Sequence, residues 1–181
     1  MKTSAIEKTV VPPGTLAADV FPRVDYADAY RVQLPPGAPR DVDALARAAF
    51  GAVPGWVRTL MALRDRIVRL VGLKTSRRSE HDLARATFHP GASFGIFRVF
   101  ARTDDEILLG EDDRHLNFRV GLLRQSVGAD DWVVVSTVVR FNNWLGRLYF
   151  LPVRPLHRLI VPAMLRSALR QQVRRSTHPD A

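Results

Sequence analysis

Residues 106–141 read EILLGEDDRHLNFRVGLLRQSVGADDWVVVSTVVRF, and this stretch decides the fold. Segments 106–110, 115–123 and 132–141 are rich in β-branched, aromatic and alternating apolar residues, the composition of half-buried strands. The separators Glu111-Asp112-Asp113-Arg114 and Gly128-Ala129-Asp130-Asp131 have the residue types of hairpin turns. A fourth segment, 94–101, precedes them across Thr103-Asp104-Asp105. Four consecutive strands with short connections predict an antiparallel meander.

Toward the N-terminus, residues 28–34 set Tyr30, Val32 and Leu34 against Ala29, Arg31 and Gln33, the period of two of a further strand. Asp41 suits the N-cap of a short helix through Phe50, whose apolar residues Val42, Leu45, Ala46 and Ala49 recur at helical spacing. After the Val53-Pro54-Gly55 break, Leu60, Leu63, Ile67, Leu70 and Val71 predict a second, amphipathic helix from Trp56, capped by Gly72. Residues 74–90 are polar and read as a long loop. Toward the C-terminus, Pro155 is a favourable first residue for a long helix over 155–173, with Leu156, Leu159, Ile160, Ala163, Met164, Ser167 and Ala168 as its packing face. Arg158, Arg166 and Arg170 fall mostly outside that face.

These elements predict an α+β fold. A curved antiparallel sheet of about five to six strands carries two short helices, and a long C-terminal helix packs across it in the order of a helix-grip protein. We expect an irregular leader over 1–25, one domain over 26–173 and a basic tail over 174–181. A chain of 181 residues that is 46% hydrophobic suffices for one core.

Composition removes several function classes. There are no cysteines, so disulfides, thiolate metal sites and a cysteine nucleophile are excluded. The first eleven residues lack the apolar run of a signal peptide, and no stretch reaches the ~20 apolar residues of a membrane span, so a cytoplasmic location is expected. The five histidines have no metal-ligand spacing, no serine stands in a G-x-S-x-G elbow, and no G-x-G-x-x-G occurs; neither metal nor cofactor is expected. The net charge of +9 is concentrated late: residues 132–179 hold eight arginines and no Asp or Glu. With no recognised nucleic-acid motif, no specific nucleic-acid partner is expected. Because the apolar face of the last helix should pack on the sheet, membrane contact is expected to be weak, electrostatic and lost near physiological salt.

The stretches Trp56-Val-Arg-Thr-Leu-Met-Ala-Leu-Arg-Asp65, Leu109-Gly-Glu-Asp-Asp-Arg-His-Leu-Asn-Phe-Arg119 and Thr137-Val-Val-Arg-Phe-Asn-Asn-Trp-Leu-Gly-Arg-Leu-Tyr149, followed by Pro155-Leu-His-Arg-Leu-Ile-Val-Pro162, together resemble one known family. It is the bacterial family called domain of unknown function 2867. The resemblance spans about 26–169 and implies similarity to the START-like helix-grip superfamily of polyketide cyclases and lipid-transport proteins. Family members also occur behind dehydrogenase domains like nucleotide-sugar epimerases, which implies a separately encoded dehydrogenase as a possible partner. The resemblance implies a topology and a cavity; it supplies no mechanism.

Polar residues set among apolar ones are the candidates for ligand contact. His115, Asn117 and Arg119 alternate with Leu116, Phe118 and Val120, so the polar trio should share one strand face, turned either into the cavity or outward. Asn142 sits where the last strand ends, with Arg147 and Tyr149 beside it, and His157 lies early in the last helix. Trp56 is a candidate for the cavity wall, as are Leu60, Met61, Phe97, Val99, Trp132, Val138, Ile160 and Met164. The leading expectation is a hydrophobic or amphipathic small molecule held by these residues. The alternatives are acid–base catalysis on a cyclic or polyketide-like substrate, using His115 or His157 with Asp112 or Asp113, and a basic module at a membrane surface. No catalytic residue is assigned from sequence.

Overall fold

A computed structural model describes residues 5–70 and 86–177. Its elements run β1 (Glu7–Thr9), β2 (Tyr26–Gln33), α1 (Val42–Gly51), α2 (Gly55–Leu70), β3 (Ser93–Phe94), β4 (Phe97–Arg102), β5 (Glu106–Asp112), β6 (Leu116–Val127), β7 (Asp130–Phe141) and α3 (Trp144–Thr177). The strands form one antiparallel sheet in the order β1-β2-β7-β6-β5-β4-β3. The expected meander is present, and the chain returns through α1 and α2 between β2 and β3. Seven strands replace the expected five or six, because β1 and the two-residue β3 escape any alternation test: both are too short to show a period.

Strands β6 and β7 are each longer than their apolar runs, pairing from Leu116↔Phe141 to Val127↔Asp130. The ladder closes on a two-residue turn, Gly128-Ala129, in which Gly128 takes φ 64°. Glycine at the first turn position supplies that left-handed backbone without a Cβ clash. A register shift between Val99 and Ala101 marks a bulge in β4, a device that adds bend and twist to a sheet.

One sheet face carries Tyr30, Val32, Val99, Ile107, Leu109, Leu122, Val133 and Val135 and packs under α1 and α3. Ile107, Leu109 and Leu122 are essentially without solvent contact, each contributing about 1.5–3 kcal/mol of burial. Asp41 caps α1 as expected, accepting a hydrogen bond from the Ala44 amide at 2.9 Å. Helix α2 begins at Gly55 and buries Val57; Leu63, expected on its packing stripe, is exposed. The expected cap at Gly72 and most of the expected loop over 74–90 lie outside the described residues, although Phe88 at its end is buried.

The other sheet face is covered by residues before Tyr26. Val11, Leu16, Ala17, Val20 and Phe21 pack on Phe100, Ala101, Leu108 and Val138, and the Leu16 amide donates to the buried Glu106 carboxylate at 2.8 Å. The expected irregular leader therefore carries a strand, Glu7–Thr9, and a packed apolar side.

Helix α3 departs most from expectation. It starts at Trp144 instead of Pro155 and passes through Pro152, Pro155 and Pro162. Each internal proline removes one backbone hydrogen bond, so propensity argues against this helix; its start is fixed by side chains instead. Asn143 is the N-cap, its Oδ1 accepting from the Gly146 amide at 3.2 Å while its Nδ2 donates to the Arg114 carbonyl at 2.9 Å. Its expected packing face holds only in part: Ala168 is buried and Ile160 and Met164 turn inward, but Leu156 and Leu159 are exposed, and Phe150 and Leu165 are buried in their place.

Candidate functional site

Between the sheet and α3 lies a cavity of about 400 Å³. Its floor is Phe118, Val120, Val135, Thr137 and Val139, and its roof is Val153, His157, Ile160, Val161 and Met164 from α3. Phe50, Leu60, Met61 and Phe97 close the side toward the first two helices. Polar groups are few: Glu111, Asp113, His115, Thr137, Tyr149 and His157.

The parity of β6 decides which candidates reach this space. Leu116, Phe118 and Val120 face the cavity, and strand alternation therefore turns Asn117 and Arg119 outward. The sequence grouped His115 with them on one face. The structure separates it, because β6 begins at Leu116 and His115 belongs to the preceding turn. Freed from the alternation, its ring points inward: Nδ1 lies 3.4 Å from Asp113 Oδ2, and the ring meets Tyr149 edge-on at 4.9 Å.

Arg119 is buried on the opposite face. Its guanidinium stacks 3.4 Å from the Phe100 ring centre, lies 5.0 Å from Phe21, and forms a two-pronged pair with Asp112 at 2.9 and 3.2 Å. Asp112 is thus removed from the cavity as well. Asn142 is structural: its Nδ2 donates to the Asp113 carbonyl at 2.7 Å and to Asn117 Oδ1 at 2.8 Å, tying the start of α3 to the β5–β6 turn. Arg147 and Trp56 are exposed and do not line the cavity. Of the other wall candidates, Leu60, Met61, Phe97, Ile160 and Met164 line it, Val99 lies in the core, Val138 packs on the outer face and Trp132 lies beneath Arg31.

At one end, His157 meets a buried carboxylate that sequence reasoning passed over. Asp28 Oδ1 stands 3.9 Å from His157 Nε2, and Asp28 Oδ2 accepts from the Tyr26 hydroxyl at 2.5 Å. Burial, aided by the Asp28 carboxylate, pushes the Tyr26 hydroxyl far above its ordinary range, so it remains a donor. Burial also lowers the His157 pKa below 6.5; the Asp28 charge opposes this shift and Arg158 reinforces it. The signal was available. Asp28, Glu111 and Thr137 occupy the same strand parity as their buried apolar neighbours, and a polar residue in phase with the core set is the one that faces inward.

The lowered His157 pKa has a defined sign. The unfolded chain binds this proton more readily, so the contribution of neutral His157 to stability is full above about pH 6.5 and is lost progressively as pH falls below that value through the lower folded pKa. Thermal melts of wild type and His157→Gln from pH 7.5 down to 5 should converge or cross as the wild type loses this contribution. Parallel melting curves across that window would contradict it.

Fold and site together define an α+β protein whose single antiparallel sheet and last helix flank a mainly apolar, partly open cavity. Residues 20–164 match the model of the family described as Protein of unknown function (DUF2867), and the chain belongs to that family. No curated protein and no solved structure matches the chain. No helix among the described residues is long and apolar enough to cross a membrane, and no group of three or more His, Asp or Glu among them could hold a metal ion.

Proposed function

We propose that the chain is a helix-grip domain that binds a hydrophobic or amphipathic small molecule between the sheet and α3. The observation that carries this reading is the cavity, whose roughly 400 Å³ exceeds the ~300 Å³ at which small-molecule sites begin. Two further features support it: the long last helix lies across the antiparallel sheet, the arrangement expected of a helix-grip protein, and the polar groups cluster at His115–Asp113 and at His157. An apolar body would lie over Phe118, Val120 and Val135, and a polar end would meet one of these clusters.

A neutral fluorescent probe such as N-phenylnaphthylamine tests this in solution. It should bind with a Kd below ~100 μM, corresponding to about 5.5 kcal/mol. Val120→Phe, which sends a ring into the cavity from its floor, should weaken binding at least about tenfold without lowering Tm, because the ring fills existing space. Absence of probe binding, or equal binding by a folded Val120→Phe protein, would count against the proposal.

One observation favours a second reading, catalysis. His115 and Asp113 both line the cavity and lie 3.4 Å apart, a base with a carboxylate to orient it. On this reading the substrate is cyclic or polyketide-like and His115 moves a proton. His115→Gln would then abolish turnover of such a substrate while leaving probe affinity within about twofold. Loss of probe binding in that variant without any turnover by the wild type would leave binding as the sole role.

A further inference from the structure

Helix α3 is apolar on two opposite sides. Val153, His157, Ile160 and Met164 face the cavity. On the far side Trp144, Leu148, Leu151, Pro155 and Leu159, spaced four, three, four and four apart, form a stripe along more than four helical turns, about 22 Å long. These residues are open to solvent: Trp144 is 74% exposed, Leu151 67% and Leu159 62%. A row of large exposed apolar side chains on a folded domain marks a contact surface, whereas a lone exposed leucine needs no explanation.

The neighbouring charge indicates the partner. Arg147, Arg154 and Arg158 run along one flank, all exposed, and Arg166 continues the line of the stripe. Residues 132–179 contain eight arginines and no acidic residue, so no carboxylate from this part of the sequence offsets the cationic flank. Tryptophan and leucine on one face with arginine at its border is the composition of a helix that lies in the interfacial region of a bilayer. The expectation of purely electrostatic contact assumed that the helix has one apolar face, already packed on the sheet. The second face removes that assumption.

We propose that the outer face of α3 docks on anionic phospholipid membranes, with Trp144, Leu148, Leu151 and Leu159 entering the interface and the flanking arginines meeting lipid phosphates. The proposal is independent of the cavity's contents. If both hold, the membrane is a source or sink for the cavity ligand one helix thickness away.

Flotation of the full chain with vesicles of phosphatidylcholine containing about 30% phosphatidylglycerol tests it. The chain should float with these vesicles, and its tryptophan emission should shift to the blue in wild type but not in Trp144→Phe. The combined Leu148→Ser, Leu151→Ser and Leu159→Ser variant should bind about tenfold more weakly with an unchanged thermal melt, since these side chains are already in water. Raising salt to about 150 mM should weaken binding several-fold without abolishing it, because the apolar part is not screened. Failure to float at low salt, flotation of the triple serine variant equal to wild type, or a blue shift that survives Trp144→Phe would overturn the proposal. A wild type that ignores vesicles but dimerises through this stripe in sedimentation velocity would overturn it in favour of a protein contact.

Discussion

Gly146→Ala is expected to lower stability by about 3 kcal/mol or more and to disturb the cavity with it. In an ordinary exposed helix the same change is favourable by up to about 1 kcal/mol, because alanine restricts the unfolded chain. Here the first turn of α3 rests directly on the β5–β6 turn. A Cβ on Gly146 would overlap the carbonyl oxygen of His115, lie 2.9 Å from that carbonyl's carbon and 3.5 Å from Leu116 Cβ. The obstacle is backbone, held from the other side by the Asn142 amide, which donates to the same His115 oxygen at 3.0 Å. Neither partner can yield without moving the start of the helix, so the steric term exceeds the propensity term. The displaced helix carries Tyr149 away from the His115 ring, and probe affinity should fall together with the denaturation midpoint. A Gly146→Ala protein as stable as wild type would refute this account of how α3 is seated.

Arg119→Ala should cost about 3 kcal/mol while leaving ligand affinity within about twofold. The ion pair with Asp112 contributes the smaller part, since the Asp112 side chain is 51% exposed and solvent screens it. The larger part is packing. The guanidinium stacks on Phe100 and its stem fills the space beneath the N-terminal segment, so alanine leaves a void between Phe21 and Phe100. Arg119→Met keeps most of that volume and should recover roughly half of the loss in urea denaturation. If Arg119→Ala instead abolished probe binding in a protein of normal stability, the assignment of Arg119 to the outer face would be wrong.

That outcome was half legible in the sequence. Alternation over 116–120 sorts polar from apolar residues correctly, but period alone does not say which set faces the helix. The apolar set does, because Leu116, Phe118 and Val120 pair with Phe141, Val139 and Thr137 on the inner side of β7. Arg119 then becomes a core residue of the second, smaller apolar layer under the N-terminal segment, a layer invisible while residues before Tyr26 were read as irregular. His115 was found for an insufficient reason: it reaches the cavity from a turn, where the strand period no longer governs it.

The long helix shows the opposite failure. Pro155 reads as the first residue of the helix, yet α3 begins at Trp144, ahead of Pro152 and Pro155, since Asn143 caps it and both asparagines bind it to backbone of the 113–115 turn. Local propensity lost to tertiary hydrogen bonds that no window of sequence contains. The same early start adds Trp144, Leu148 and Leu151 to the helix and creates its outer apolar stripe. By contrast α1, with Asp41 as cap and Val42, Leu45, Ala46 and Ala49 buried, was fully legible because cap and period agree.

The space between sheet and α3, proposed as a binding site, can be probed without knowing its ligand. Native mass spectrometry of the full chain purified from its own host, followed by denaturation and a second spectrum, measures this directly. The expected result is a folded species heavier than the chain's 20.3 kDa by a mass on the order of a few hundred daltons, released on unfolding and depleted in Val120→Phe. A folded wild-type chain that carries no added mass, and takes up no neutral apolar probe when one is supplied, would contradict it.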